Sequence, residues 1–363
     1  MRIGIFTFHR AENFGAVLQC FALQTLLESI GHKVEIVDYR CKNIERGYYI
    51  FDFRGLFCRL NIFASISKLC TRIPTVKDRI VKKRKYIAFR KKYLHLSQPI
   101  SRGKDLGYDI YITGSDQVWN TTLLHGYDET YFLDFALPKS AKRISYAVSS
   151  EQNAIAKLYQ YKASISAALN QFDSISVREE TFGNELKKIS AKDILVCVDP
   201  TFFLSIEIYL KMAIRPQINN YILVYHMAEV PEASSMADII AYKGKKEVIE
   251  IHAKFESRRQ KRRHKQDVGP LDLLGYIAYA DYVITTSFHG LALSLILQKN
   301  FCVVSKPGNM RLQNILREVG LENRLITKDG TPPMEDINYR IVSNKLIPLI
   351  EKSKKFLITA IEK

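Results

Sequence analysis

The sequence predicts an α/β protein made of two parallel-sheet halves in tandem. Three observations carry this. Short β-branched runs alternate with amphipathic segments, break off, and then alternate again. A chain of 363 residues is too long for one ordinary core and suits two. With 47% hydrophobic residues and only 11 prolines, it can bury enough apolar surface to offset the entropy of ordering.

The first half opens on a buried run at 3–8 and a helical pattern over 15–30, with Val17, Leu18, Phe21, Leu26 and Leu27 on one side. Gly31 ends that helix, and 34–37 reads as a second strand. Such a β-α-β crossover is parallel and right-handed. Residues 41–105 interrupt the alternation with a basic stretch whose apolar residues (Ile66, Leu69, Ile73, Ile80, Ile87, Phe89) sit at helical spacing. It reads as an inserted helical excursion. Strands resume at 109–113, 143–148, 174–177 and 194–198, with helices over 153–170 and 179–189.

The second half places strands at 221–225, 247–251, 282–285 and 301–304, with helices near 232–242, 271–279 and 290–297. Helical periodicity returns over 310–319 and 340–361. The expected division is residues 1–212 for the first domain, including the basic excursion, and 213–363 for the second with its helical tail.

Composition narrows the function classes. MRIGIFTFHR is too short an apolar stretch for a secretion signal, and LALSLIL at 291–297 is far too short to span a bilayer. Six scattered cysteines, without a C-x-x-C pair, suit reduced thiols in a cytoplasmic protein and predict no metal site and no cofactor. The formal net charge of +17 is concentrated: 54–104 holds fifteen Lys or Arg, and 258–265 reads RRQKRRHK. Such runs suit anionic membranes, acidic substrates, nucleic acid or plain solvation. No nucleic-acid-binding signature accompanies them, so no nucleic-acid partner is expected. The 54–104 stretch predicts a peripheral contact with an anionic membrane surface.

In open parallel sheets ligands bind beyond the carboxyl ends of the strands, so chemistry is sought at strand-to-helix turns. The turn Thr7–Gly15 (TFHRAENFG) offers His9 and Asn13 beside a helix amino end that can hold an anion. In TGSDQVWN at 113–120, Gly114 permits close backbone approach, and Ser115 and Asp116 either face a ligand or cap the next segment. In SVRE, Arg178 can grip a carboxylate or phosphate with a bidentate fork, or pair with Glu179 or Glu180. TTSFHG at 285–290 sets His289 in the first turn of a helix, where it serves as a proton shuttle or a cap.

Taken in order, TFHRAENFGAVLQ, YDIYITGSDQVWN, ISYAVSS, ISVREE, VDPTFFL and ADYVITTSFHGLALSLIL resemble the polysaccharide pyruvyl transferase family over about residues 1–325. The resemblance implies two Rossmann-like domains facing a cleft, as in glycosyltransferase-B folds. It also implies phosphoenolpyruvate as donor and a saccharide, often lipid-linked, as acceptor. It places donor contacts on Arg178 and on the turn ending at His289, with Ser287 and Phe288. In the implied reaction we read His289 as general acid or as the group polarising the phosphate, and Asp116 as the candidate base. Some members carry Arg two places before the histidine, where this chain has Ser287; Arg311 and Lys306 are the substitutes at hand. The rival on the same architecture is a glycosyltransferase using a nucleotide sugar.

Overall fold

The computed structural model describes residues 1–50, 73–151, 154–255, 263–305, 309–327 and 330–363. Two six-stranded sheets organise them, and every strand pairing is parallel. The first sheet has β1 (Arg2–Phe6), β2 (Lys33–Ile36), β3 (Ile110–Asp116), β4 (Lys142–Val148), β5 (Ser174–Val177) and β6 (Ile194–Val196) in the order β2-β1-β3-β4-β5-β6. The second has β7 (Tyr221–His226), β8 (Glu247–His252), β9 (His264–Lys265), β10 (Tyr282–Thr285), β11 (Phe301–Val304) and β12 (Leu325–Ile326) in the order β12-β11-β10-β7-β8-β9. These are the two α/β halves read from the sequence. The two-residue strands β9 and β12 were not foreseen, because two residues carry no period.

Both sheets are covered on both faces, which is why β3 and β7 are buried along their whole length. Alternation sends successive side chains to opposite sides. Phe6, Tyr111 and Val148 face a core belonging to the first half, and Ile222, Val224 and Ile284 one belonging to the second. The other faces, with Ile5, Ile112 and Ile144 on one sheet and Leu223, Tyr225 and Val283 on the other, join a single apolar cluster. Phe14 meets Tyr225 across it at 5.6 Å between ring centroids. The two halves therefore share a core, and the cleft is built on it.

Two helices reinforce the junction. Helix Val76–Tyr93 buries Tyr86 and Phe89 in the shared cluster, and its Lys85 pairs with Asp272 of the second half at 2.9 Å. The rest of the basic excursion, 51–72, lies outside the described residues, as does most of RRQKRRHK. Helix Tyr339–Glu362 begins on the second half, where the Tyr339 hydroxyl bonds the Ser294 carbonyl. It ends on the first: Ser353 Oγ accepts from Val198 N–H at 3.0 Å, and Lys142 Nζ donates to the Ile361 carbonyl. Among the described residues no helix is long and apolar enough to cross a membrane.

Candidate active site

In the first sheet the direction of winding reverses between β1 and β3, and in the second between β7 and β10. The turn after β10 and the carboxyl ends of β5 and β6 supply the residues of the site. After β10, Ser287 caps helix Phe288–Ile296 by accepting from Gly290 N–H, and His289 enters the first helical turn. Its ring lies against the first half: a Cβ on Gly15 would sit 1.9 Å from His289 Nδ1, so only glycine permits this approach. Asn13 holds that glycine in place by accepting from Gly15 N–H and Ala16 N–H as the cap of helix Phe14–Ser29.

Arg178 follows β5 and is buried. Its Nη2 donates to Ser115 Oγ and lies 2.6 Å from Asp199 Oδ2. His289 Nε2 lies 3.4 Å from that same oxygen. The two residues sought at opposite strand ends therefore meet on one carboxylate. Asp199 uses its other oxygen to cap the turn Pro200–Phe203, accepting from Thr201 N–H and Oγ1. Burial alone would raise its pKa; the Arg178 charge and His289 outweigh that and hold it well below the ordinary carboxylate range.

Arg178 is not spent by this pair. Its Nε and Nη1 are buried without a hydrogen-bond partner among the described residues, leaving three of a guanidinium's five N–H groups available. The guanidinium lies over the Phe288 ring, 5.0 Å from its centroid. Beside it, Glu179 accepts from Ser149 Oγ with Oε1, while its Oε2 is buried and unpartnered. Burial raises the Glu179 pKa against the opposing charges of Arg178 and Arg311 and the Ser149 bond. A cavity of about 330 Å3 opens here, lined by Arg178, Glu179, Asp199, Phe288, Arg311 and Lys352 among others. Arg311 reaches it from the first turn of helix Met310–Val319. A buried arginine fork with three N–H groups unengaged suits a small anion.

His289 does not itself line this cavity but stands 3.4 Å from Asp199 in its wall, and the remaining residues singled out in the sequence fall elsewhere. His9 is locked away from the cavity by Thr7 O and Asp38. Asp116 turns its carboxylate onto Gln117 N–H at 2.9 Å and does not line the cavity. Gly114 has φ +113°, and a Cβ there would meet the Tyr146 carbonyl at 2.2 Å, so it sets Ser115 rather than touching a ligand. Lys306 lies outside the described residues. Asp199 and Glu179 were missed. Asp199 was quoted only within the VDPTFFL motif, and Glu179 only as a counter-ion to Arg178; the available signal was an acid placed directly after a buried strand.

A second cavity of about 290 Å3 lies on the other side of the Thr7–Gly15 turn, between Glu12, Tyr48, Arg79, Lys82 and Phe255. Lys82 Nζ sits 5.2 Å from the Phe14 ring and 5.1 Å from the Phe255 ring. Burial lowers its pKa to about 8 despite the Glu12 charge.

No curated protein matches the sequence. Solved structures resemble it weakly. The UDP-GlcNAc 2-epimerase of Neisseria meningitidis, bound to UDP-GlcNAc, is 8% identical with a TM-score of 0.43, over 99% of this chain and 94% of that one. The UDP-GlcNAc 2-epimerase of Methanocaldococcus jannaschii is 10% identical with a TM-score of 0.42, over 96% and 93%. The spinosyn forosaminyltransferase SpnP is 11% identical with a TM-score of 0.36, over 100% and 95%. The sequence model of one family, polysaccharide pyruvyl transferase, covers residues 13–306 and with them the ends of β5, β6 and β10 that line the cavity, so the chain belongs to that transferase family.

Proposed function

We propose that the chain transfers the pyruvyl group of phosphoenolpyruvate to two hydroxyls of one saccharide, closing a cyclic ketal and releasing phosphate. The observation that carries this reading is the Arg178 fork, buried and unpaired on one side while Asp199 ties it to His289 on the other. Phosphoenolpyruvate bears a carboxylate and a phosphate on one carbon. Arg178 grips one of these groups, and Arg311, whose described ion pair is only a 3.5 Å contact to Glu151, meets the other. Ser287 is occupied as a helix cap, so Arg311 stands in for the arginine that some family members carry there.

His289 then donates a proton to the methylene carbon, and positive charge develops on the adjacent carbon. A saccharide hydroxyl attacks that carbon and loses its proton to Glu179, whose pKa burial raises and which is thereby a better base than an ordinary carboxylate. Glu179 displaces Asp116 as the candidate base because its free oxygen is buried beside Arg178. A second hydroxyl attacks the same carbon as the carbon–phosphate oxygen bond breaks, and its proton leaves with the phosphate. The proton held by Glu179 passes through solvent back to His289, beside the Asp199 carboxylate, before the next turnover.

The saccharide acceptor is lipid-linked, approached through the outward side of helix Val76–Tyr93, where Lys77, Arg84, Lys91 and Lys92 are exposed beside Ile87. Such a face suits an anionic membrane surface. The test is phosphate release from phosphoenolpyruvate with glycan extracts of the native host, followed by mass spectrometry for a ketal on the acceptor. Phosphate release that needs both substrates is expected. Nucleotide release from a sugar nucleotide, with phosphoenolpyruvate inert, would replace this reading by the glycosyltransferase one.

A further inference from the structure

Strands β7 and β8 end side by side, with His226 in register with His252. Side chains in register on neighbouring parallel strands share a face, and these two imidazoles stack with centroids 4.6 Å apart and planes 9° from parallel. On one edge of the stack every nitrogen is engaged. His226 Nε2 lies 3.0 Å from Glu250 Oε2, and His252 Nε2 lies 2.9 Å from His264 Nδ1. Glu250 is itself fixed, accepting from Arg263 Nε at 2.6 Å and from Ser234 Oγ at 2.9 Å.

The opposite edge is different. His226 Nδ1 is buried and has no hydrogen-bond partner among the described residues. His252 Nδ1 faces the Glu229 carboxylate, 3.0 Å from Oε1 and 3.1 Å from Oε2. Glu250 is surrounded by donors and accepts only, so a neutral His226 carries its proton on Nε2 and leaves a lone pair on Nδ1. That lone pair is out of reach of water and has no donor to meet. His252 presents its own Nδ1 lone pair to the same space whenever Nε2–H donates to His264.

We propose that His226 Nδ1, His252 Nδ1 and the Glu229 carboxylate form a divalent-cation site. Atoms of these three residues lie within 4.8 Å of one another. Two imidazoles and one carboxylate are a ligand set of the zinc type, which leaves further positions for water. Those positions open outward, because the Glu229 side chain is 39% exposed while both histidines are buried. Behind the ligands stand the partners that metal-binding histidines require: a carboxylate, Glu250, on His226 and a ring acceptor, His264, on His252. The rings must tilt from their present stack for both lone pairs to aim at one ion. Such a site revises the expectation, drawn from cysteine spacing, that the chain holds no metal; cysteine spacing carries no information about histidines brought together by two strands.

The site adjoins the His289 turn, since Thr286 Oγ1 accepts from Met227 N–H at 2.9 Å, but none of its ligands lines the Arg178 cavity. It therefore stands independently of pyruvyl transfer. The test uses the full-length protein, dialysed against a chelator and titrated with Zn2+ alone by calorimetry, with Co2+ absorption as a readout of the ligand set. One equivalent per chain is expected. Glu229→Gln and His226→Asn should each weaken binding by about tenfold or more, while His95→Ala, a surface histidine paired with Glu28, leaves it unchanged. Glu229 is exposed, so its variant reports even where His226→Asn does not fold by circular dichroism. Absence of saturable binding, or equal affinity in the Glu229→Gln protein, overturns the proposal.

Discussion

His9 follows β1 and His289 follows β10, and each ring faces a buried aspartate that an arginine also holds: Asp38 with Arg10, and Asp199 with Arg178. The first triplet is closed. Both His9 nitrogens are engaged, Arg10 gives Asp38 two parallel bonds of 2.7 and 2.6 Å, and Arg40 adds a second cation. The second is open. Arg178 gives Asp199 a single nitrogen, and His289 Nε2 stands too far from it for a strong hydrogen bond. The same three residue types brace a turn when every donor finds an acceptor, and leave donors for a ligand, as proposed for the second triplet, when the donors outnumber the acceptors.

The contrast can be broken experimentally. Its largest expected effect is at Arg178. Arg178→Met strands the Asp199 carboxylate, fully buried, and should remove turnover together with about 3–5 kcal/mol of stability by denaturant unfolding. Unchanged stability would mean that Asp199 is satisfied without Arg178. His289→Ala should leave the fold intact and lower turnover by about two orders of magnitude or more, the usual scale of a proton-transfer group. A folded, fully active variant would remove His289 from the chemistry.

Gly15→Ala tests whether the two halves are coupled through His289. The added methyl must displace the ring, so turnover should fall about tenfold while overpacking takes roughly 1–3 kcal/mol of stability. His9→Ala should do the reverse of His289→Ala: it leaves Asp38 short of a donor and lowers stability by about 1–3 kcal/mol, with turnover per folded molecule retained. Loss of turnover at full stability would place His9 in the reaction.

The smallest effect is on acid stability. Hydrogen bonds from His9 and Arg10 outweigh burial at Asp38, and Arg178 with His289 does so at Asp199, so both carboxyls are held below their ordinary range. Folded-state pKa values below the unfolded ones give stabilisation that is complete above about pH 4 and is lost as pH falls through the depressed values. Glu179 runs the other way, because its raised pKa makes ionisation work against the fold as pH rises. Asp38→Asn should flatten the acid limb of an unfolding-against-pH curve; an unaltered limb would show that Asp38 does not drive it.

The strand and helix positions were legible in the sequence because they rest on local periodicity. Ten of the strands were found in place, and the helix carrying His289 began within two residues of its expected start. Arg178 and His289 were legible for a related reason: a polar residue directly after an apolar run sits at the carboxyl edge of a sheet. The sequence ranked His289 above His9, but it could not show that His9 is closed off. That was decided by partners far along the chain. Asp38 closes on His9 across β1 and β2, whereas Asp199, which reads locally as a cap, turns its second oxygen to residues from both halves. The stacking of His226 on His252 depends likewise on strand register. By itself the sequence determined which residues stand at the strand ends; only the tertiary structure decided which of their donors are left unpaired, because pairing is set by distance in space and not by order along the chain.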